Sequence, residues 1–218
     1  MATTRQLTLA IERAYKWHNG VEYGGGLVMT NQLNGTANAI DVHYKGEDKT
    51  DVLITALLSK AWESKRHNEE TKNNPQQARN SYEALVEDFG KKIADNIKDM
   101  STEPDTKDWH EMAEWAQKQN PQVQAVLLAE KLQNFIVSRD KPNPKKEPDW
   151  HINYYKTRMI MVEALREACP ALYVECVKVS EQGIKAQQRK LAEMEQVVQP
   201  TVVVKAEKAH TQECTNSR

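Results

Sequence analysis

Where one apolar helical pattern stops, residues able to do chemistry follow at once. In "DVLITALLSKAWESKRHNEE", residues 51–70, Leu53, Ile54, Leu57 and Leu58 recur at helical spacing, and Ser59, Lys60, Glu63 and Ser64 come directly after them. An ammonium and a carboxylate at the end of a buried run can hold a polar ligand or move protons, because burial shifts their acidity. If the helix continues, Ser59 with Glu63 and Lys60 with Ser64 form i,i+4 pairs on adjacent stripes. Trp62 lies between them, where its ring could floor a pocket. The bland alternative is that Lys60 snorkels out of a helix end toward solvent or Glu63. Downstream, "AVLLAEKLQNF" repeats the theme, with Glu130 and Asn134 four residues apart inside another apolar run.

The elements that must position these groups read as almost entirely helical. Helical patterns cover 5–18, 35–42, 50–64, 81–98, 106–118, 122–137, 151–168 and 171–196. The first places Leu7, Ile11, Ala14, Tyr15 and His18 on one face. Five of the eight glycines fall between Gly20 and Gly35, which reads as a loop. Pro121 and Pro170 suit first-turn positions, where a missing N–H costs nothing. Residues 65–80 carry no large apolar side chain and read as a long polar loop insertion, and 140–149 form a second, Pro-rich loop. The expected fold class is all-α: one helical domain over 1–199 and a flexible, disordered C-terminal tail over 200–218.

Composition removes several classes of function. The 218 residues carry 30 basic and 31 acidic side chains, a formal charge of -1, so the basic footprint of a nucleic-acid binder is missing. No stretch approaches the roughly 18–20 consecutive apolar residues of a membrane span, and the N-terminus has no basic leader followed by an apolar block. Cys169, Cys176 and Cys214 have no metal-ligand spacing and read as reduced thiols, which points to the cytoplasm. None of the six histidines pairs with another His or Cys at ligand spacing. His18 reads as a satisfied core or cleft histidine, and His67 as solvated. His151, at the start of a helix, is a candidate for the cleft, and Tyr154 follows it one turn later. "YGGG" at 23–26 lacks the following Lys-Ser/Thr of a phosphate loop.

The order of segments resembles a known family. A first helix, a Gly-rich turn, "TNQLNGTANAI", "DVLITALLSKAWES", "YEALVEDFGKKIADNIKDMS", "AVLLAEKLQNF" and "NYYKTRMIMVEAL" follow one another as in the HD-domain hydrolases. The likeness is to the guanosine tetra/pentaphosphate (alarmone) hydrolases of the RelA/SpoT and small alarmone hydrolase type, and it spans residues 5 to about 180. The resemblance implies an HD-domain-like helical bundle around a divalent metal held by two histidines and two aspartates, ligands able to activate water beside a phosphate. At the matching positions this chain has Gln32, then Ser59 and Lys60, then Glu130. The pair that assists water attack falls on Glu63 and Ser64. The segment that carries guanine-holding basic residues in the family reads Val21, Glu22, Tyr23 here.

One carboxylate with an amide, a hydroxyl and an ammonium is a poor cation site, so the resemblance implies a degenerate HD domain with no metal and no cofactor. In that fold Lys60 faces Glu130, and an internal ion pair replaces the metal. The expected function is a metal-free pseudo-hydrolase that binds a small ligand or a protein partner through Gln32, Ser59, Trp62, Ser64, Asn134, His151 and Tyr154. The alternative is a metal-independent enzyme (isomerase, cyclase or hydrolase) using Lys60, Glu63 and Glu130 as acid and base. Neither a nucleic-acid nor a membrane partner is expected.

Overall fold

Two of the helices are apolar nearly all the way round, and that property organises the molecule, because a helix without a polar face has to be enclosed. The computed structural model describes residues 1–24, 27–62 and 79–215, with side chains described outside 23–27 and 197–215. Its helices are α1 (Thr4–His18), α2 (Met29–His43), α3 (Lys49–Leu58), α4 (Tyr82–Phe89), α5 (Lys91–Met100), α6 (Trp109–Gln117), α7 (Pro121–Asp140), α8 (Pro148–Ala164) and α9 (Pro170–Thr215). Two short antiparallel strands, β1 (Glu22–Gly24) and β2 (Leu27–Val28), precede α2. The all-α expectation holds apart from this small hairpin.

The enclosed helices are α3 and α7. In α3, Val52 and Ala56 join one apolar cluster with α2, α7, α8 and α9, while Ile54, Leu57 and Leu58 join a second with α1, α4 and α5. Helix α3 is therefore the shared wall of both halves of the core. Helix α7 is buried continuously from Ala125 to Leu132, so Glu130 and Lys131 lie inside whichever way they point. Local chemistry sets the ends. Thr3 and Gln6 form a reciprocal capping box on α1. The Asn120 side chain accepts from the N–H groups of Gln122 and Val123 ahead of Pro121.

Several boundaries differ from the sequence reading. The pattern at 81–98 is two helices, because Gly90 adopts a φ of +87°, closing α4 and opening α5. Helix α2 starts at Met29, so Gln32 and Gly35 are helical rather than part of a Gly-rich loop; Gly35 is retained where the Gln133 side chain crosses the helix within 2.1 Å of where a Cβ would stand. Helix α3 stops at Leu58, and 59–62 form turns, with the Ala61 N–H bonded to the Leu58 carbonyl at 2.9 Å. Ile11 and Tyr15 are exposed, because α1 buries Ala10, Ala14, Trp17 and His18 instead, and the Tyr15 hydroxyl accepts from Asn34 at the surface. Helix α9 runs past the expected end at 196, to Thr215.

Helix α9 packs on α7 and α8, and Gly183 makes its closest approach. A Cβ there would lie 2.3 Å from Cζ of Tyr155, a fully buried ring. Gly183→Ala is expected to destabilise by about 1–3 kcal/mol through overpacking, read as a lowered Tm against Glu181→Ala at an exposed position of the same helix as a control.

Candidate functional site

The turn at the end of α3 brings Lys60 against α7. Its Nζ stands 3.8 Å from Oε1 of Glu130 and 4.0 Å from Oε2 of Glu103, and Lys131 Nζ is 4.0 Å from the same Glu130 oxygen. Lys60 is 9% exposed, Glu130 6% and Lys131 5%, so the ion pair expected between Lys60 and Glu130 exists and is enclosed. Burial pushes the Glu130 carboxyl up, but the neighbouring Lys60 and Lys131 charges outweigh it and hold the group below its usual value. Lys131 lies over the Trp109 ring at 5.5 Å, and Arg158 stacks on the other residues of this edge, 4.6 Å from Trp109 and 3.7 Å from Tyr154.

Around this centre, Gln32 reaches from α2 to α7 and donates its Nε2 to Oδ1 of Asn134 at 2.9 Å. Ser59 is buried but spends its hydroxyl on the Ala56 carbonyl at 3.0 Å, finishing α3. Glu63 and Ser64, like His67, lie outside the described residues. Trp62 donates its indole N–H to the Asn80 carbonyl at 2.7 Å, while Asn80 Nδ2 donates to the Ala61 carbonyl at 3.2 Å. Trp62 thus ties two chain segments together, a role its position in the sequence does not reveal. Asn80→Ala removes the second bond in a fully buried setting and is expected to lower stability by about 1–3 kcal/mol in urea unfolding, with m unchanged.

His151 is buried against Trp150, whose ring meets it edge-on at 5.1 Å, and its Nε2 is 3.2 Å from the Asn143 carbonyl. Its described contacts are with the start of its own helix and the loop before it, and not with Lys60. Tyr154 stacks on Trp150 and lies close enough to Glu130 for the carboxylate to act on it; burial first, and that charge with it, raises the phenol pKa.

His18, expected on the apolar face of the first helix as a satisfied core or cleft histidine, is buried but not satisfied. Neither ring nitrogen has a hydrogen-bond partner among the described residues. Burial, reinforced by the Lys60 charge, lowers its pKa to about 4, so the ring is neutral at neutral pH. Gln32 Oε1 is likewise buried without a partner. Its place on the apolar face of the first helix signalled burial, and nothing in the sequence signalled the missing partners.

A second recess, an open cleft of about 530 Å³, lies between α5 and the starts of α3 and α7. Its buried amides are already engaged: Asn96 Nδ2 donates to Gln122 at 2.8 Å, Asn120 Nδ2 to Asn96 at 2.9 Å, and Gln122 Nε2 to Asp48. The amides of this cleft satisfy one another, whereas Oε1 of Gln32 and the His18 ring are left without a partner.

No family model matches the chain, and no curated protein matches it. One solved structure, described as a metazoan ortholog of SpoT that hydrolyzes ppGpp and plays a role in starvation responses, matches with a TM-score of 0.65 at 15% identity, over 84% of this chain and 97% of that one. The chain has an HD-domain-like helical fold. At that identity the likeness concerns the fold, and it supports the resemblance in architecture that the segment order implies. The HD-like core of this chain presents donors of a different kind at its centre. Among the described residues no three His, Cys, Asp or Glu side chains gather in metal-binding geometry. An ammonium 3.8 Å from the Glu130 carboxylate is the wrong charge to share a site with a divalent cation. The described residues at this centre do not fit the metal that the fold family implies. No helix among the described residues is long and apolar enough to cross a membrane.

Proposed function

We propose that this HD-like chain is a metal-free pseudo-hydrolase, a small-ligand-binding or regulatory protein of the cytoplasm related in architecture to alarmone hydrolases. The observation that carries the reading is the enclosed Lys60–Glu130 ion pair. By the resemblance, Lys60 takes the place of a metal-binding carboxylate and Gln32 that of an imidazole. Its ammonium offers Glu130 the positive charge that a cation would supply, so Glu130 has a partner without a metal. A surviving hydrolase would also need a group to activate water, and that chemistry in the family rests on the bound cation. The buried, reduced Cys169 and Cys176 suit a reducing compartment, and burial pushes the Cys176 thiol up to about 12, which makes it inert.

One observation favours a second reading, metal-independent catalysis. A neutral His18 beside an ammonium and a buried carboxylate supplies a lone pair, a proton donor and an anion in one cluster. The test is metal content of the purified protein by mass spectrometry, together with phosphate release from ppGpp in Mn²⁺ and Zn²⁺. The expected result is no stoichiometric metal and no hydrolysis. Bound metal at one equivalent, or metal-dependent release, overturns the proposal. Turnover of any small molecule without metal that is lost in Glu130→Gln favours the second reading.

A further inference from the structure

The chain contains two Asn-Gly steps, Asn19-Gly20 and Asn34-Gly35, and the fold treats them in opposite ways. Asparagine is one of the thermolabile residues. When glycine follows it, the backbone nitrogen of the glycine, unshielded by a side chain, can reach the carboxamide carbon and close a five-membered ring. In a folded protein this requires that nitrogen and carboxamide are both accessible and free to meet.

At the first step they are. Helix α1 ends at His18, and the chain reverses through Asn19 and Gly20. Asn19 has a φ of -60° and a ψ of 122°, Gly20 has a φ of +72°, and the Val21 N–H donates to the His18 carbonyl at 3.1 Å. These are the marks of a type II turn, with glycine where a positive φ is needed. Both residues are exposed, and nothing stands within 4 Å of where a Gly20 Cβ would be. Among the described residues, neither the Asn19 carboxamide nor the Gly20 N–H has a hydrogen bond. Ring closure needs the Asn19–Gly20 peptide plane to turn over. Without a Cβ on Gly20 that rotation meets little steric resistance, and the Val21–His18 bond closes the turn in either orientation, as in types I and II.

At the second step they are not. Asn34 and Gly35 lie inside α2, where the Gly35 N–H belongs to the helical ladder. Asn34 Nδ2 donates to the Tyr15 hydroxyl at 2.8 Å, and the Gln133 side chain lies over Gly35. Cyclisation there would have to break α2.

We infer that Asn19 is a self-modification site of the folded protein, converting to aspartate and isoaspartate, while the fold protects Asn34. The Gly20 nitrogen forms a bond to Cγ of Asn19 as the Cγ–Nδ2 bond breaks, and its proton leaves with that nitrogen as ammonia. Water then opens the ring. Opening at the side-chain carbonyl gives aspartate on an ordinary backbone, and opening at the main-chain carbonyl gives isoaspartate. One water is consumed and one ammonia released, with no oxidant or reductant. Isoaspartate adds a methylene to the main chain between α1 and β1, and either product puts a negative charge at the C-terminal end of α1, where the helix dipole disfavours it.

The test holds the full-length protein warm at mildly alkaline pH, once folded and once in urea, and follows both steps by peptide mapping. Mass spectrometry reads the conversion of amide to acid, and backbone fragmentation separates isoaspartate from aspartate. In the folded protein Asn19 is expected to convert at least tenfold faster than Asn34, giving both isomers, whereas in urea the two convert at comparable rates. Gly20→Ala is expected to slow conversion of Asn19 at least tenfold. If that variant fails to fold, the comparison of folded with unfolded wild type carries the test. The inference is overturned if Asn19 stays intact in the folded protein while converting in urea, or if Asn34 converts as fast as Asn19 in the folded protein.

Discussion

Lowering the pH from about 7 to about 4 is expected to cost the folded protein about 3 kcal/mol through His18 alone. The unfolded imidazole takes up a proton near its ordinary value of 6.5, while the buried ring beside Lys60 resists it down to about 4. A group with a lowered native pKa stabilises the fold above the unfolded value, and that contribution is lost as pH falls through the window between the two. Below the native value the loss is complete and the slope ends. Denaturant unfolding at steps of half a pH unit measures it, and His18→Leu supplies the reference, since carboxylates with lowered native pKa values, Glu130 among them, add their own losses at the acid end. Parallel stability curves for wild type and His18→Leu between pH 6.5 and 4 would show that the ring titrates freely and is not enclosed as described.

Removing one partner of the enclosed ion pair is expected to be costly, and removing both much less so. Lys60→Met leaves Glu130 buried with only Lys131 at 4.0 Å and Lys60's place filled by an apolar chain. The expected cost is about 3 kcal/mol, at the lower end for a buried charge that loses its partner because Lys131 remains. Lys60→Met combined with Glu130→Gln removes the uncompensated anion, and is expected to recover more than about 1 kcal/mol of that loss, a coupling that a double-mutant cycle reads directly. Additive effects, with no recovery in the double variant, would mean that Lys60 and Glu130 do not depend on each other in the folded protein. Lys60→Ala gives the same sign with a further loss from the deleted methylene stem, which is itself packed in the core.

Much of the architecture was legible because burial leaves a simple trace in sequence. Apolar residues on all sides of 52–58 and 123–132 mark two enclosed helices, and polar residues that interrupt such runs, Lys60 and Glu130, have few places to go but inward. The family resemblance, which sets the end of α3 against α7, is what paired them. The details that escaped depend on single contacts. Nothing local distinguishes Tyr15, held at the surface by Asn34, from a core aromatic, and periodicity alone assigns Ile11 to the wrong face. Gly90 reads as one residue in a long helical pattern until its positive φ splits it. Gln32 reads as loop because glycines surround it, although Met29 to His43 form one helix. His18 was placed among the buried groups, but whether a buried ring has a partner depends on what α2, α3 and α7 bring near it, and that is a property of the assembled fold.

The knot of bonds joining Trp62 to Asn80 has a consequence for how this chain can vary. With Trp62 fastened to the Asn80 carbonyl, Asn80 fastened back to Ala61, and the positive-φ Arg79 clamped by Asp88, the two ends of the intervening stretch are held in place by residues outside it. The positions of those two ends are therefore fixed by Trp62, Ala61, Asn80, Arg79 and Asp88. Doubling the length of such a stretch costs only about 0.6 kcal/mol in closure entropy. The junction is an anchorage in the chain itself: it fixes where the chain leaves the bundle after Trp62 and where it rejoins at Arg79, and a change of length between them starts and ends at the same two points.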